Sequence, residues 1–141
     1  MDQDFYEKAL PDSEETVMLA LWDCEGYASF YQLDQALARQ RWAPSTLLNF
    51  LYRLQKRGYL AVEKQGGRNR YRALASRRDY MTARARSFLD KFCGGSLTAL
   101  TRTLIEGRAI SDEEMESLHQ YLEQKLAALY SGSDLYDPWE G

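Results

Sequence analysis

Three arginines spaced two apart, Arg68, Arg70 and Arg72, follow a Gly66-Gly67 pair at the end of the stretch Trp42 to Leu74, WAPSTLLNFLYRLQKRGYLAVEKQGGRNRYRAL. Alternate positions of an extended strand share one face, so three guanidinium groups would project together while Asn69, Tyr71 and Ala73 turn the other way. Neighbouring cations repel, and that local cost is offset where phosphates are met. The plainer reading is a solvated strand edge charged against aggregation. Upstream, a helical turn of about 100° per residue puts Leu47, Phe50, Leu51 and Leu54 on one face, and Ser45, Leu48, Asn49, Tyr52 and Lys56 on the other. The first face suits a core. The second offers hydroxyl, amide and ammonium groups able to meet base edges and phosphates.

The charge distribution points the same way. The 141 residues carry a net charge of −3, but residues 1–38 hold nine acids and one lysine, for −8. Residues 39–86 hold thirteen Lys or Arg against Glu63 and Asp79, for +11, and the remainder is −6. A basic block that coincides with a helix and a hairpin is more informative than the overall sum.

The elements that must position these groups can be read from local signals. An acidic, poorly periodic arm, residues 1–10, is expected to be flexible, frayed or only loosely docked. Asp12 with Glu15 has capping-box spacing for a first helix bearing Val17, Met18, Leu21 and Trp22. Ala28-Ser29 fits a short edge strand or a cap, and Phe30 to Gln40 a second helix with Phe30, Leu33, Ala36 and Leu37 inward. Pro44 opens the third helix, and Lys56, Arg57 and Gly58 close it. Residues 59–65 and 68–74 then alternate with period two around the Gly-Gly turn of a hairpin. The predicted fold is mainly α with a small β wing: a winged helix-turn-helix domain over residues 1–75, followed by a helical dimerisation domain over 76–130 and an acidic, aromatic tail over 131–141.

In the second domain Ser76, Ser96 and Ser111 are placed to cap three helices. Their apolar positions, Phe88, Phe92, Leu100, Leu104, Met115, Leu118, Leu122 and Leu126 among them, recur at helical spacing. Helices this short do not readily bury such stripes on one another, so self-association is expected, with packing back onto the first domain as the alternative. The tail, with Tyr136 and Trp139, is read as disordered or as a competitor for a basic or apolar surface such as the arginine wing.

Other chemistries find little support. Cys24 and Cys93 lie far apart, the single His119 sits within a helical pattern, and no metal-ligand spacing or phosphate-binding glycine loop occurs. No cofactor, metal or catalytic residue is expected. Without a membrane-length apolar run or a signal-peptide pattern, the expected location is the cytoplasm, with no direct membrane insertion.

The order and spacing of several short motifs resemble the penicillinase-repressor and methicillin-resistance-regulator family of winged-helix transcriptional repressors. The matching pieces include Glu15-x-Val17-Met18-x-x-Leu21-Trp22, Trp42-Ala43-x-Ser45-Thr46, Arg53-Leu54-x-x-Arg57-Gly58-Tyr59-Leu60 and Gly67-Arg68 with Tyr71. Phe88-Leu89-x-x-Phe92-x-Gly94-Gly95-Ser96, Leu100 and Ser111-x-Glu113-Glu114-x-x-x-Leu118 continue it. The resemblance implies a homodimer whose N-terminal domains read an inverted-repeat operator while C-terminal helices interlock. It also implies repression of a resistance or stress operon, relieved in many members when a membrane-bound sensor protease triggers cleavage, here by position near Thr103 and Leu104. The family's usual Asn-Phe pair is missing there, and Thr46-Leu47-Leu48-Asn49 stands where Thr-Val-Arg-Thr is common.

The leading expectation is therefore an operator-binding repressor. Ser45, Thr46, Leu48, Asn49, Tyr52 and Arg53 would approach the major groove, Lys56 the backbone, and Arg68, Arg70 and Arg72 the phosphates or the adjacent minor groove. Leu48 could meet thymine methyls and Asn49 adenine. The competing expectation is a winged-helix interaction module that has lost sequence-specific DNA binding and uses Leu48 and Tyr52 as an apolar protein contact.

Overall fold

The computed structural model describes residues 3–131. After a 3-10 turn at Gln3–Tyr6 come α1 (Asp12–Asp23), β1 (Tyr27–Ser29), α2 (Phe30–Ala36), α3 (Pro44–Lys56), β2 (Leu60–Gln65), β3 (Arg68–Ala73), α4 (Arg77–Cys93), α5 (Leu97–Glu106) and α6 (Asp112–Ser131). The competitor role considered for the 131–141 tail falls, Ser131 apart, outside the described residues. The chain forms two compact units, one ending at Phe88 and the other beginning at Leu89.

In the first unit, the helices and a three-stranded antiparallel sheet of order β1-β3-β2 enclose one core. Val17, Met18 and Leu21 of α1, Leu33 of α2, and Leu47, Leu51 and Leu54 of α3 are each at most 1% exposed. Tyr71 comes in from β3, the inward position that strand alternation gives it. The hairpin turns on Gly66 and Gly67, both at positive φ (61° and 78°), and pairs Gln65 with Arg68. Such left-handed geometry at both central positions matches the right-handed twist of the flanking strands and is nearly strain-free only for glycine.

Local signals placed most caps and missed two boundaries. Ser29 joins both roles foreseen for it, ending β1 and forming a reciprocal capping box with Gln32. The Oγ atoms of Ser76, Ser96 and Ser111 accept the amides of Asp79, Ala99 and Glu114 at 3.0–3.1 Å. At α1, however, Pro11 and not Asp12 is the capping position: the Pro11 carbonyl already accepts the Glu15 amide at 2.9 Å, and Asp12 is helical. Asp12, Glu14 and Glu15 act instead on the positive end of the helix dipole. The second helix stops at Ala36 and yields to a 3-10 turn, Ala38–Gln40, with Arg41 left-handed at φ 56°. Ala36, expected inward, is exposed, because the break leaves Leu33 and Leu37 to supply the apolar face.

Two further expectations are corrected. The N-terminal arm is docked: Tyr6 and Leu10 are 3% and 6% exposed. The first half of α4 belongs with the first unit, not the second, because Tyr80 is buried against Trp22 with ring centroids 5.7 Å apart.

Two leucines three residues apart on α3 test this partition. Leu51, 1% exposed, should cost about 2–5 kcal/mol on replacement by alanine, in urea unfolding. Leu48→Ala, at a position 47% exposed, should stay within about 0.5 kcal/mol of the parent.

Candidate nucleic-acid interface

Helix α3 is held from below and at both ends. Leu47, Leu51 and Leu54 seat it on the core, and Phe50 packs edge-on against Trp42 at 4.9 Å. Its end is a Schellman closure, with Tyr59 N donating to the Leu54 carbonyl, Gly58 N to that of Gln55, and Gly58 at φ 82°. Arg57 there donates through Nε to Oε1 of Glu14 at 2.6 Å, a carboxylate of α1 whose side chain is only 2% exposed. This pair ties the end of α3 to the first turn of α1.

With its core face fixed, α3 presents Ser45, Leu48, Asn49, Tyr52, Arg53 and Lys56 to solvent. At about 100° per residue, Ser45, Asn49, Tyr52 and Lys56 lie within an arc of roughly 60°. Leu48 flanks that row on one side and Arg53 on the other. The Lys56 ammonium lies 5.5 Å from the Tyr52 ring centroid, which holds a cation beside the row. Thr46, also foreseen as a contact, is half-buried at the edge of this face.

The three wing arginines are not equivalent. Arg68 sits exposed beside the glycine turn and has no acidic partner among the described residues. Arg70 is half-buried, with its guanidinium 5.5 Å over the Tyr27 ring. Arg72 donates through Nε to Oε1 of Glu63 at 2.6 Å, so much of its charge is offset. The Tyr27 hydroxyl bonds to Gln65 Oε1 at 3.0 Å and ties β1 to the hairpin.

Elsewhere in the basic block, Arg77 is paired with Asp23 at 3.0 Å, and Arg84 is taken up by backbone carbonyls. Arg39, Arg41, Arg53, Lys56, Lys64, Arg68 and, on α4, Arg78 remain exposed without an acidic partner among the described residues. Arg39, Arg41 and Lys64 had not been singled out from sequence. The signal was there, since all three fall inside the same basic block, but no periodicity assigned the turn carrying Arg39 and Arg41 to a face, and Lys64 lies on β2 away from the arginine stripe.

The second unit carries no buried residue in α5 or α6. Leu100, Leu104, Met115 and Leu118 are half-buried, and Leu122 and Leu126 are 44% and 47% exposed. An apolar trough of about 580 Å³ opens between α5 and α6, lined by Leu97, Leu100, Leu104, Ile105, Leu118 and Leu122. Phe88 and Phe92 of α4 are 48% and 66% exposed. Thr103 and Leu104 lie inside α5, where the Thr103 hydroxyl donates to the Ala99 carbonyl at 2.9 Å. Among the described residues, no helix is long and apolar enough to cross a membrane, and no three His, Cys, Asp or Glu side chains cluster as metal ligands.

Three helices, a three-stranded sheet and a basic hairpin, with the last helix before the hairpin turned outward, define a winged helix-turn-helix protein. Over residues 10–124 the sequence matches the family model described as penicillinase repressor, and the chain belongs to that family. It is 29% identical over 115 residues to the penicillinase repressor of Bacillus licheniformis, covering 82% of this chain and 90% of that one. It is 27% identical over 126 residues to the methicillin resistance regulatory protein MecI of Staphylococcus aureus strain N315, covering 89% and 100%. A solved structure of BpsR from Bordetella bronchiseptica aligns at a TM-score of 0.40 and 17% identity, over 87% of this chain and 84% of that one.

The Glu14–Arg57 tie yields a prediction. Arg57→Ala would leave a buried carboxylate without its cation. The expected loss is on the order of 2–3 kcal/mol, below the range for fully buried pairs because the Arg57 side chain is itself 41% exposed. Chemical denaturation of both Arg57→Ala and the double variant with Glu14→Gln checks this: the double variant should recover part of the loss.

Proposed function

We propose that this protein is a transcriptional repressor that binds an inverted-repeat operator as a homodimer. The observation that carries the reading is the row of Ser45, Asn49, Tyr52 and Lys56 on the solvent face of α3, beside a wing whose tip cation, Arg68, has no acidic partner among the described residues. Relatives that bear the names penicillinase repressor and methicillin resistance regulatory protein support it. In this reading, Lys56, Arg68 and Arg70 meet phosphates and set register, while Asn49 donates to and accepts from an adenine edge. Leu48 contacts a thymine methyl, so the preferred half-site is rich in A·T steps where α3 enters. Arg72 contributes less, because Glu63 already holds it.

The second copy covers the apolar stripe that α4, α5 and α6 leave in water, with Phe88, Phe92, Leu100, Leu104, Met115, Leu118, Leu122 and Leu126 as its contacts. Release of the operator by a membrane-bound sensor protease cutting near Thr103-Leu104 is the family route that fits this position, although Thr103-Leu104 replaces the Asn-Phe pair. No catalytic activity is assigned. A second reading, a protein-interaction module, is favoured by one observation alone: Leu48 and Tyr52 are 47% and 56% exposed on the same helix.

Selection of bound duplexes from random DNA, followed by binding measurements at several salt concentrations, separates the two. Arg68→Ala should weaken binding to every sequence and flatten the logarithmic salt slope by about 0.9 for the lost phosphate contact. Asn49→Ala should lose about 1–3 kcal/mol of discrimination at one base pair and little elsewhere. Absence of any DNA complex at low salt would overturn the repressor reading in favour of the interaction module. Sedimentation should find a dimer that Leu118→Glu converts to monomer.

A further inference from the structure

The first residues of the chain do more than cover the core. The Phe5 ring lies 4.8 Å from that of Tyr59, at the junction of α3 and β2, and 4.9 Å from Tyr6. The Tyr6 hydroxyl accepts the amide of Ser76 at 2.9 Å, and Ser76 is the residue whose Oγ caps α4. The carbonyls of Tyr6 and Glu7 both accept from Nη2 of Arg84, at 2.6 and 2.9 Å. The Leu10 amide donates to the hydroxyl of Tyr80 at 3.1 Å, and that hydroxyl donates in turn to Glu15 of α1. Burial and the Glu15 carboxylate both push the Tyr80 hydroxyl above its ordinary pKa, so it stays a donor.

The arm therefore grips α4 at three points on successive turns, Ser76, Tyr80 and Arg84. Apart from the arm, the structure holds this helix start to the winged helix through Trp22 Nε1 on the Ala75 carbonyl at 3.0 Å, the Arg77–Asp23 pair, the Tyr80 contacts with α1 and the Tyr80 ring edge-on to Tyr59 at 6.0 Å. The family match begins only at residue 10, so the gripping residues Phe5, Tyr6 and Glu7 precede it.

The leverage is large. A helix of 17 residues is about 25 Å long at roughly 1.5 Å per residue, so a change of about 10° at its base moves its far end by about 4 Å. One base pair rises about 3.4 Å. A loose α4 would blur the separation of two half-sites by more than a base pair.

We infer that the N-terminal arm is a latch that fixes the direction in which α4 leaves the winged helix, and thereby the half-site spacing that the dimer accepts. This rests on the repressor reading above. The Tyr6 hydroxyl and the Arg84 guanidinium act as positioning groups and touch no DNA.

The test uses the full chain, Tyr6→Phe/Arg84→Met, which keeps both apolar bodies, and a deletion of residues 2–9. Each is measured on duplexes selected by the parent protein, in three forms: an isolated half-site, the selected operator, and operators with one or two base pairs added to or removed from the spacer. Amide exchange at Ser76 is followed in parallel. The expected result is half-site affinity within about twofold of the parent, faster exchange at Ser76, and a preference for the selected spacing that falls by about tenfold, or about 1.4 kcal/mol. An unchanged spacing preference in both variants overturns the latch. So does a parallel loss on half-site and operator, which would mark the arm as part of the general fold. Failure of the parent protein to bind any half-site removes the repressor reading itself, a result distinct from either.

Discussion

The orientation of α3 depends on three leucines. Leu47, Leu51 and Leu54 occupy positions i, i+4 and i+7, the spacing at which helical side chains line one face, and all three are within 1% of complete burial. Once they are seated, the helix has no rotational freedom left, because a turn of even one residue would drive Leu48 or Tyr52 into the core and pull a leucine into water. At roughly 1.5–3 kcal/mol per buried leucine, that exchange is prohibitive in a domain of ordinary stability. The chemistry on the opposite face is thus positioned by apolar packing, not by polar contacts of its own. Ser45, Asn49 and Tyr52 are left free of intramolecular side-chain hydrogen bonds among the described residues, which is the condition for meeting base edges.

Around that axis the basic block divides its labour. Arg57, Arg72 and Arg77 are matched with Glu14, Glu63 and Asp23, and Arg84 is held by two carbonyls. These four serve the fold. The other cations of the block that have no acidic partner among the described residues lie on the turn before α3, along α3 and on the wing, with Arg78 apart from them at the start of α4. The distinction follows from the dielectric environment. Glu14 is nearly sealed from water and needs a counter-charge, whereas Lys64 and Arg68 stand in solvent where an isolated charge costs little. The acids of the chain thereby subtract selectively from the basic surface, and what is left is narrower than thirteen Lys and Arg suggested.

The features legible in the sequence were those set by neighbours a few residues apart. The face assignment of α3, the Gly66-Gly67 turn, and the serine caps at 76, 96 and 111 all rest on periodicity or on bonds spanning three residues. Where the expectation failed, a partner distant in the chain decided the outcome. Nothing near Tyr6 announces that its hydroxyl will meet an amide 70 residues away, so a short acidic arm read as frayed. Tyr80 likewise falls by position in the stretch assigned to the second domain, and only its contact with Trp22, 58 residues away, places it in the first unit. Arg72 belongs to an intermediate case. The hairpin register sets Glu63 opposite Arg70 and Ala61 opposite Arg72, so the bond from Arg72 to Glu63 is a diagonal one that the register brings within reach but does not select.

The contrast between the two units bears on how the proposed dimer would act. The first unit closes its core within one chain, while the second leaves Leu122, Leu126 and Leu129 between 44% and 67% exposed. Covering half of each of the eight apolar side chains proposed as contacts yields a gross gain of roughly 6–12 kcal/mol, and association itself costs about 4–15 kcal/mol in lost freedom. Such a balance gives a dimer whose population depends on protein concentration and not one that is permanent. Two half-sites on one duplex change that balance, because the first contact raises the effective concentration of the second winged helix at its own half-site. This gain survives only if the heads are presented at a definite separation, since a flexible connection spreads the same effective concentration over many spacings. In the proposed dimer a seated α4 start and a modest apolar interface would therefore be complementary, the first making the second sufficient.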